Sequence, residues 1–233
     1  MLLEYKMPGL TCNDHIILLK EKYKINKIAY TARLDPMASG IVPILLGDEC
    51  MKLNTHISSN KIYRVKVILG IKTDSDDPLG IITYLDIPLD IPSYIETFIR
   101  MNHTIFELNN ISINQKYHYF STVALKNRKR GIYESKSHNV FLYKSSIIKW
   151  GYLHFPEWKE EIITTINLVD KNKVNLNRFR QKEIIQQWKD INIDRIPYFE
   201  LELNVSSGFF VRQFIADFSM NLMCYDITRI DVY

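Results

Sequence analysis

YTARLDPMASG, residues 30–40, lies between two apolar segments and carries a single carboxylate, that of Asp35. An Asp-Pro pair favours the start of a turn, and the Ser-Gly pair that follows favours its closure. Many such pairs do nothing more than begin a turn. Catalytic side chains are nevertheless common on loops held between regular elements. Asp35 is therefore a candidate catalytic residue, and the rest of the chain has to decide between these two interpretations.

The composition predicts a globular chain with a mildly basic charge. A chain of 233 residues can bury a full core, and 46% hydrophobic residues exclude an intrinsically disordered protein. Three widely separated cysteines predict neither a disulfide framework nor a zinc site, and they favour a reducing compartment. The N-terminus is unlike a signal peptide, and no apolar run could span a bilayer. We therefore expect a protein without a membrane partner that is not secreted and lies in the cytoplasm, an organelle or another reducing compartment. The net charge of +4 permits an RNA partner without requiring one.

Three other short motifs place polar or aromatic side chains near the ends of predicted elements. Residues 6–14, KMPGLTCND, read as a strand followed by a turn and a helix start. Residues 61–65, KIYRV, open a strand with alternating side chains. Residues 209–215, FFVRQFI, open a helix after a Ser-Gly turn. An arginine at a helix start would normally face solvent, and the helix dipole does not favour it there. A buried acidic partner such as Asp35 would explain Arg212.

Together, the loop and these motifs resemble the catalytic motifs of the TruB-type tRNA pseudouridine synthases. The family loop reads HTGxLDPxAxG, and the chain matches it at Thr31, Leu34, Asp35, Pro36, Ala38 and Gly40. KIYRV fits the family pattern KxYxV. FFVR is similar to a third family motif, in which the arginine pairs with the catalytic aspartate. The resemblance covers nearly the whole chain except residues 155–195.

The resemblance implies a fold and a chemistry. The expected fold is α+β, with a mixed, largely antiparallel sheet flanked by helices and a central RNA-binding cleft. The implied reaction isomerises a flipped-out uridine to pseudouridine. The expected target is uridine 55 in the T-loop of a tRNA, with a T-loop-like fold in another RNA as the alternative. Asp35 is then the catalytic carboxylate, Arg212 favours its ionised form, and Tyr63 stacks on the target base. The reaction needs no cofactor and no metal, and the sequence contains no motif for either.

Two family positions carry other residues, and both affect the expected contacts with RNA. Tyr30 stands where the family has a histidine that helps to hold the flipped-out RNA. A tyrosine can stack and donate a hydrogen bond, but it carries no positive charge near neutral pH. Phe210 replaces a tyrosine and lacks its hydroxyl. Both residues are still expected to contact the substrate. So is Lys6, because residues 6–14 resemble another family motif, KPxGxSSxD, and Lys6 is in register with its lysine.

Two charged clusters have competing interpretations. The basic run at residues 126–130 holds four cations, Lys126, Arg128, Lys129 and Arg130. Such a cluster suits RNA phosphates, although a solvated turn would also explain it, and the resemblance favours RNA contact. The acidic run TDSDDPLG, residues 73–80, has spaced carboxylates of the kind that bind hard cations. Its Asp, Ser, Pro and Gly residues are typical of a turn, which is the interpretation we prefer.

We expect one catalytic domain over residues 1–233, without the C-terminal RNA-binding PUA domain that most TruB-type enzymes carry. Strands are predicted over residues 61–70, 140–152, 198–205 and 225–233, and helices over 48–56, 93–101 and 177–190. Residues 155–173 read as irregular. The segment 155–195 is longer than the family pattern. We interpret it as a packed structural insertion, with a docking surface for a protein partner as the alternative.

Two other functions stay open at this point. A catalytically weak or inactive RNA-binding or assembly subunit could keep the synthase fold, but we would expect it to have lost Asp35, Tyr63 or Arg212. A glycosidase-like enzyme needs a second catalytic carboxylate. Candidates for it are Asp74, Asp76 and Asp77, but no spacing supports that role.

Overall fold

The structure, a computed structural model, describes residues 1–56, 58–87, 91–131, 136–170, 179–218 and 221–233, with side chains omitted for 91–94 and 122. Its strands are β1 (Leu2–Lys6), β2 (Ile28–Tyr30), β3 (Ser39–Leu46), β4 (Lys61–Leu69), β5 (Ile71–Thr73), β6 (Ile82–Leu85), β7 (Ile111–Lys116), β8 (Ser137–His154), β9 (Arg195–Val205) and β10 (Leu222–Val232). Its helices are α1 (Cys12–Tyr23), α2 (Ile91–Glu107), α3 (Thr122–Lys129), α4 (Phe155–Leu168), α5 (Gln181–Asp190) and α6 (Val211–Ala216), and Gly47–Thr55 is a 3₁₀ segment. No helix among the described residues is both long and apolar enough to span a membrane.

The main sheet runs in the order β1-β3-β10-β4-β9-β8-β7, and β2 pairs with the end of β3. The pairing of β10 with β3 is parallel, whereas the other described pairings are antiparallel. Strands β5 and β6 form a separate small sheet. The predicted α+β class with a mixed, largely antiparallel sheet is therefore confirmed.

Each face of the sheet packs against its own core. Successive strand residues point to opposite faces, and the predicted inward face of β4 is buried from Tyr63 to Leu69 at every second residue. The intervening Ile68 belongs to a second cluster, which contains Trp158 of α4 and Trp188 of α5. Helices α4 and α5 of the segment 155–195 thus pack on the face opposite Tyr63.

Several predicted boundaries need correction. The helix expected over 93–101 is longer, Ile91–Glu107, and residues 48–56 lie largely in the 3₁₀ segment. Residues 155–173 were expected to be irregular, which is wrong for Phe155–Leu168. That stretch is helical because Pro156 suits the first turn and because Trp158, Ile162 and Ile166 repeat at helical spacing and are buried. The end of the stretch, residues 171–173, lies outside the described part of the chain.

Candidate active site

The middle of the loop at residues 30–40 lines a cavity of about 300 Å³, through Arg33, Leu34, Asp35, Pro36 and Ala38. Strands β4 and β10 contribute Tyr63 and Arg229, and the start of α6 contributes Arg212. Among the predicted site residues, Asp35, Tyr63, Phe210 and Arg212 line this cavity. The fold therefore brings together side chains from the first and last thirds of the sequence.

Asp35 and Arg212 are in direct contact, as the sequence predicted. Asp35 Oδ2 lies 2.8 Å from Arg212 Nη2, and 43% of the Asp35 side chain is exposed against 7% of the arginine. Proline follows the aspartate in a tight turn, in which the Ala38 amide donates to the Asp35 carbonyl oxygen at 3.1 Å. The carboxylate thus faces the cavity with a buried counter-charge behind it.

A second carboxylate, that of Asp77, lies on the same guanidinium. Arg212 Nη1 donates to Asp77 Oδ2 and to the Ser75 carbonyl oxygen, both at 2.8 Å. The Asp77 side chain is only 5% exposed, and its Oδ1 accepts from Ser75 Oγ at 2.8 Å and from the Leu79 amide at 2.9 Å. Burial lowers the pKa of Arg212, but the attraction of Asp35 and Asp77 outweighs it, so that this pKa is raised. The turn predicted at 73–80 is present, but its role in holding Arg212 was missed.

Arg229 is a further residue that the sequence analysis missed. Its side chain is 2% exposed, and its Nε donates to the Tyr63 hydroxyl at 3.2 Å. The guanidinium lies 5.4 Å from the centre of the Tyr63 ring. Its remaining nitrogens donate to the carbonyl oxygens of Ala32, Arg33 and Ile41 at 2.7–3.3 Å. Arg229 therefore connects the loop that carries Asp35 to Tyr63, whose ring lines the cavity.

Lys6 does not occupy the substrate-binding position expected of it. The side chain is fully buried, and its ammonium donates to the carbonyl oxygens of Ala38 at 2.7 Å, Met7 at 3.1 Å and Pro36 at 3.3 Å. Burial lowers the pKa of Lys6 to about 8. All three donors of the ammonium are used, so that Lys6 fixes the backbone of the Asp35 loop.

Tyr30 also departs from expectation. The residue is buried at the end of β2, and its hydroxyl lies 2.7 Å from Nδ1 of His15, with which it shares a hydrogen bond. The two rings stack at a centroid distance of 6.1 Å. Burial lowers the pKa of His15 and raises that of Tyr30. Tyr30 is not among the residues lining the cavity, which corrects the prediction that it contacts the substrate, because its polar tip is directed to α1.

Phe210 lines the cavity at the start of α6, with its backbone held from β7. Its amide donates to Gln115 Oε1 at 2.8 Å, and Gln115 Nε2 donates back to the Phe210 carbonyl oxygen at 2.9 Å. The ring meets those of Tyr117 and His138 edge-on, at centroid distances of 5.8 Å and 5.5 Å. The position is therefore compatible with the predicted contact to substrate.

The four predicted cations lie on and just after α3, at the border of the cavity. Leu125 of this helix lines the cavity, whereas Lys126, Lys129 and Arg130 are exposed. The Arg128 guanidinium lies 3.7 Å from the centre of the Tyr119 ring. The basic run thus lies at the end of a short helix beside the cavity. Its exposed cations can contact a ligand that extends out of the cavity.

Comparison with known proteins relates this geometry to described families. Residues 20–148 match the family model described as TruB family pseudouridylate synthase (N terminal domain). The tRNA pseudouridine synthase B of Prochlorococcus marinus is 30% identical over 155 residues, which are 63% of this chain and 46% of that protein. The protein of the same name from Wigglesworthia glossinidia brevipalpis is 25% identical over 224 residues, 96% of this chain and 55% of the other. The chain thus spans about half the length of these curated relatives.

A solved structure shares the fold. A chain in the crystal structure of a Cbf5-Nop10-Gar1 complex aligns with 98% of this chain and 47% of its own length, with a TM-score of 0.53 and 13% sequence identity. At that identity the likeness concerns the arrangement of helices and strands. It agrees with the α+β architecture described above.

Proposed function

The chain belongs to the TruB family of pseudouridylate synthases, and from this premise we propose that it isomerises uridine to pseudouridine in RNA with Asp35 as the catalytic carboxylate. The observation that carries the proposal is the placement of Asp35. Its carboxylate is partly open to a central cavity and lies 2.8 Å from the buried guanidinium of Arg212. The guanidinium at this distance orients the carboxylate through a charge-assisted contact and places a positive charge beside it.

The reaction needs only rearrangement within the substrate. The C1′–N1 bond breaks, the base turns, a C1′–C5 bond forms, and N1 takes up a proton while C5 loses one. Asp35 acts on the sugar, as a nucleophile or as a base, and carboxylates are known to form covalent intermediates in glycosyl chemistry. Arg212 holds the carboxylate in place and supplies its counter-charge, whereas Asp77 holds Arg212.

The aromatic ring of Tyr63 in the cavity suits an extruded base. Taking a nucleotide out of its stack costs a few kcal/mol, and stacking on an aromatic ring contributes about 1–3 kcal/mol per base. Tyr63 supplies such a ring and is fixed by Arg229. The exposed cations of α3 at the cavity border supply contacts to phosphates, which add affinity independent of sequence.

The substrate we propose is the T-arm of a tRNA, with uridine 55 of the T-loop as the target. The support is that the curated relatives are named tRNA pseudouridine synthase B. The cavity adds a physical argument, because a volume of about 300 Å³ beside the exposed cations of residues 126–130 suits an extruded nucleotide with its phosphates outside. A protein partner for segment 155–195 stays a prediction, since the described inner faces of α4 and α5 are buried in the second core.

The test is modification of a T-arm hairpin RNA by the purified protein. Wild-type protein is expected to convert the target uridine, and Asp35→Asn is expected to lower the rate by at least about a thousandfold while it still binds the RNA. Asp48→Asn, which changes an exposed aspartate beyond the loop, serves as the matched control and is expected to keep the wild-type rate.

Two outcomes would contradict the proposal. Turnover by Asp35→Asn at the wild-type rate would remove Asp35 from the mechanism. A wild-type protein that binds RNA but produces no pseudouridine in the hairpin, in whole tRNA or in cellular RNA would instead favour the RNA-binding or assembly subunit.

A further inference from the structure

The insertion at 155–195 reaches the cavity that contains Asp35. The buried apolar side chains of this segment belong to the second core, and Phe179, just before α5, is partly buried against that core. Phe179 also lines the cavity, together with Phe120 and Phe210. Phenylalanines from three separate segments, with Phe209 beside Phe210, therefore line a site that also holds Tyr63. The proposed reaction gives roles to Asp35, Arg212 and Tyr63, but it gives none to an aromatic side chain from the segment 155–195.

Arg180 anchors this part of the insertion to the loop that carries Asp77. Its Nη1 donates to Asp74 Oδ2 at 2.6 Å and its Nη2 to Asp74 Oδ1 at 3.0 Å. Asp74 in turn accepts from the Ile81 amide at 2.9 Å. The Arg180 guanidinium also lies 5.7 Å from the centre of the Phe120 ring. One side chain thus connects the insertion to both the acidic turn and the aromatic wall.

The helix that follows is fixed to the same turn by further contacts. Trp188 Nε1 donates to the Pro78 carbonyl oxygen at 3.0 Å, and the Ile82 amide donates to Gln187 Oε1 at 2.8 Å. Arg180 itself has φ of 58°, a left-handed conformation that is unfavourable for a residue with a side chain. Phe179 is therefore held in position at the cavity and is not an incidental surface side chain.

We propose that Phe179 is a substrate-contacting residue that stacks on an RNA base next to the extruded uridine, with Arg180 as its positioning residue. Unpaired RNA bases are commonly held by aromatic rings, and such stacking tolerates any base because every base has a π-face. The insertion then extends the RNA surface beyond Asp35, Tyr63 and the cations of α3. This inference rests on the proposed function, because the cavity is taken as an RNA site.

The first experiment measures steady-state modification of a T-arm hairpin by Phe179→Ala. Losing one stacked base contact is expected to raise KM about tenfold, with kcat within about twofold of wild type, because the group does not touch the reacting atoms. Phe179→Tyr, which keeps the ring, is expected to restore the wild-type KM. Phe106→Ala is the matched control, since Phe106 is 77% exposed on α2 and is not among the cavity-lining residues. It should behave as wild type.

The second experiment tests how Arg180 acts. Arg180→Ala is expected to raise KM as well, and the double variant with Phe179→Ala should be no worse than Phe179→Ala alone, because a positioning residue has nothing left to position. Additive effects would overturn the positioning role. If Phe179→Ala does not fold, Phe179→Leu keeps apolar volume without the ring and is expected to show the same rise in KM.

Failure of this inference can be told apart from failure of the proposed function. Equilibrium binding of the hairpin by Asp35→Asn protein, with and without Phe179→Ala, needs no turnover. If wild type modifies the RNA but Phe179→Ala matches it in KM and binding, the inference is wrong and the proposed activity stands. If wild type is inactive but Phe179→Ala still weakens binding about tenfold, the contact stands and the activity fails.

Discussion

Residues 30–40 and residues 73–80 each bring a carboxylate to 2.8 Å from the Arg212 guanidinium, but they leave that carboxylate in different states. Asp77 of the second loop is 5% exposed, and both of its oxygens accept hydrogen bonds from within the protein. Asp35 of the first loop keeps 43% of its side-chain surface open. Two acids on one arginine therefore differ in whether a substrate can reach them.

The difference comes from what holds each loop. The loop at 73–80 uses its own acids, because Asp77 accepts from the Leu79 amide and Asp74 from the Ile81 amide. The loop at 30–40 is held by cations from other strands, with Lys6 and Arg229 donating to its carbonyl oxygens. Because side chains from other strands hold the backbone of this loop, its carboxylate is not needed to stabilise the loop and stays accessible to a substrate. We infer that Asp77 positions Arg212, whereas Asp35 meets the substrate.

The largest expected contrast is in stability. Asp77→Asn is expected to lower the free energy of unfolding by about 3 kcal/mol, because it leaves a buried guanidinium with one charged partner removed. Asp35→Asn is expected to lower it by less than about 1 kcal/mol, because its ion pair is partly in solvent. Urea denaturation of both variants measures the contrast. Equal losses, or a larger loss for Asp35→Asn, would mean that the two carboxylates do not divide their roles as inferred.

The second prediction concerns the end of the Asp35 loop. Gly40 has φ of +113°, and a Cβ there would overlap the Arg229 carbonyl oxygen and lie 2.6 Å from the Arg229 amide nitrogen. Gly40→Ala should therefore separate β3 from β10, at a cost of about 2–3 kcal/mol. Gly47→Ala is the control, since Gly47 has φ of +57° but its Cβ would meet nothing within 4 Å. It should cost about 1 kcal/mol. Similar melting temperatures for the two variants would argue against close strand packing at Gly40.

The third prediction removes a cation that holds the same loop. Lys6→Met keeps the apolar stem but leaves the Pro36 and Ala38 carbonyl oxygens without their donor. The expected loss is about 1–2 kcal/mol of stability, with a roughly tenfold slower modification rate because Asp35 is held less firmly. Lys20→Met, at an exposed position of α1, should change neither. A stable Lys6→Met protein with full activity would show that the Asp35 loop keeps its conformation without the hydrogen bonds from Lys6.

The sequence was sufficient for the parts of the site that follow a local motif. The motifs predicted that Asp35 and Arg212 meet, and the turn chemistry of residues 73–80 was correct. The roles of Asp77 and Arg229 were missed because their partners are distant in the chain. Nothing in the sequence around an aspartate in a turn or an arginine in a strand indicates such a distant contact. A signal for Arg229 did exist, since it shares a face of β10 with buried Ile227, and a charge on a buried face predicts a buried partner.

Lys6 and Tyr30 were misjudged for a different reason. Both were assigned to the substrate from their place in a motif, but a motif position does not fix the direction of a side chain. Lys6 ends an edge strand at a Pro-Gly turn, where a lysine usually faces water, and here it turns inward to three carbonyl oxygens. Tyr30 finds a buried partner in His15. In both cases burial, which the tertiary packing decides, overrode the local expectation.

The smallest predicted effect is a pH dependence of the free energy of unfolding that comes from Lys6. Burial lowers the pKa of Lys6 from its usual 10.5 to about 8, so that between pH 8 and pH 10 the unfolded chain holds a proton which the folded chain has released. Unfolding then takes up a proton, and the free energy of unfolding rises with pH. From Lys6 alone the gain is about 1 kcal/mol between pH 8 and pH 9.

Other buried groups titrate in the same range, and the comparison must remove them. Burial raises the pKa of Cys12 and of Cys224, so that these thiols make stability fall as pH rises. Burial also lowers the pKa of Lys61 to about 8, which acts in the same direction as Lys6. Lys6 and Cys12 also interact, so both proteins carry Cys12→Ala. Subtracting the urea-unfolding curve of Lys6→Met from that of its Lys6 parent then cancels the contributions of Cys224 and Lys61. The difference should grow from pH 8 to pH 9, and a constant difference would mean that Lys6 has no lowered pKa in the folded loop.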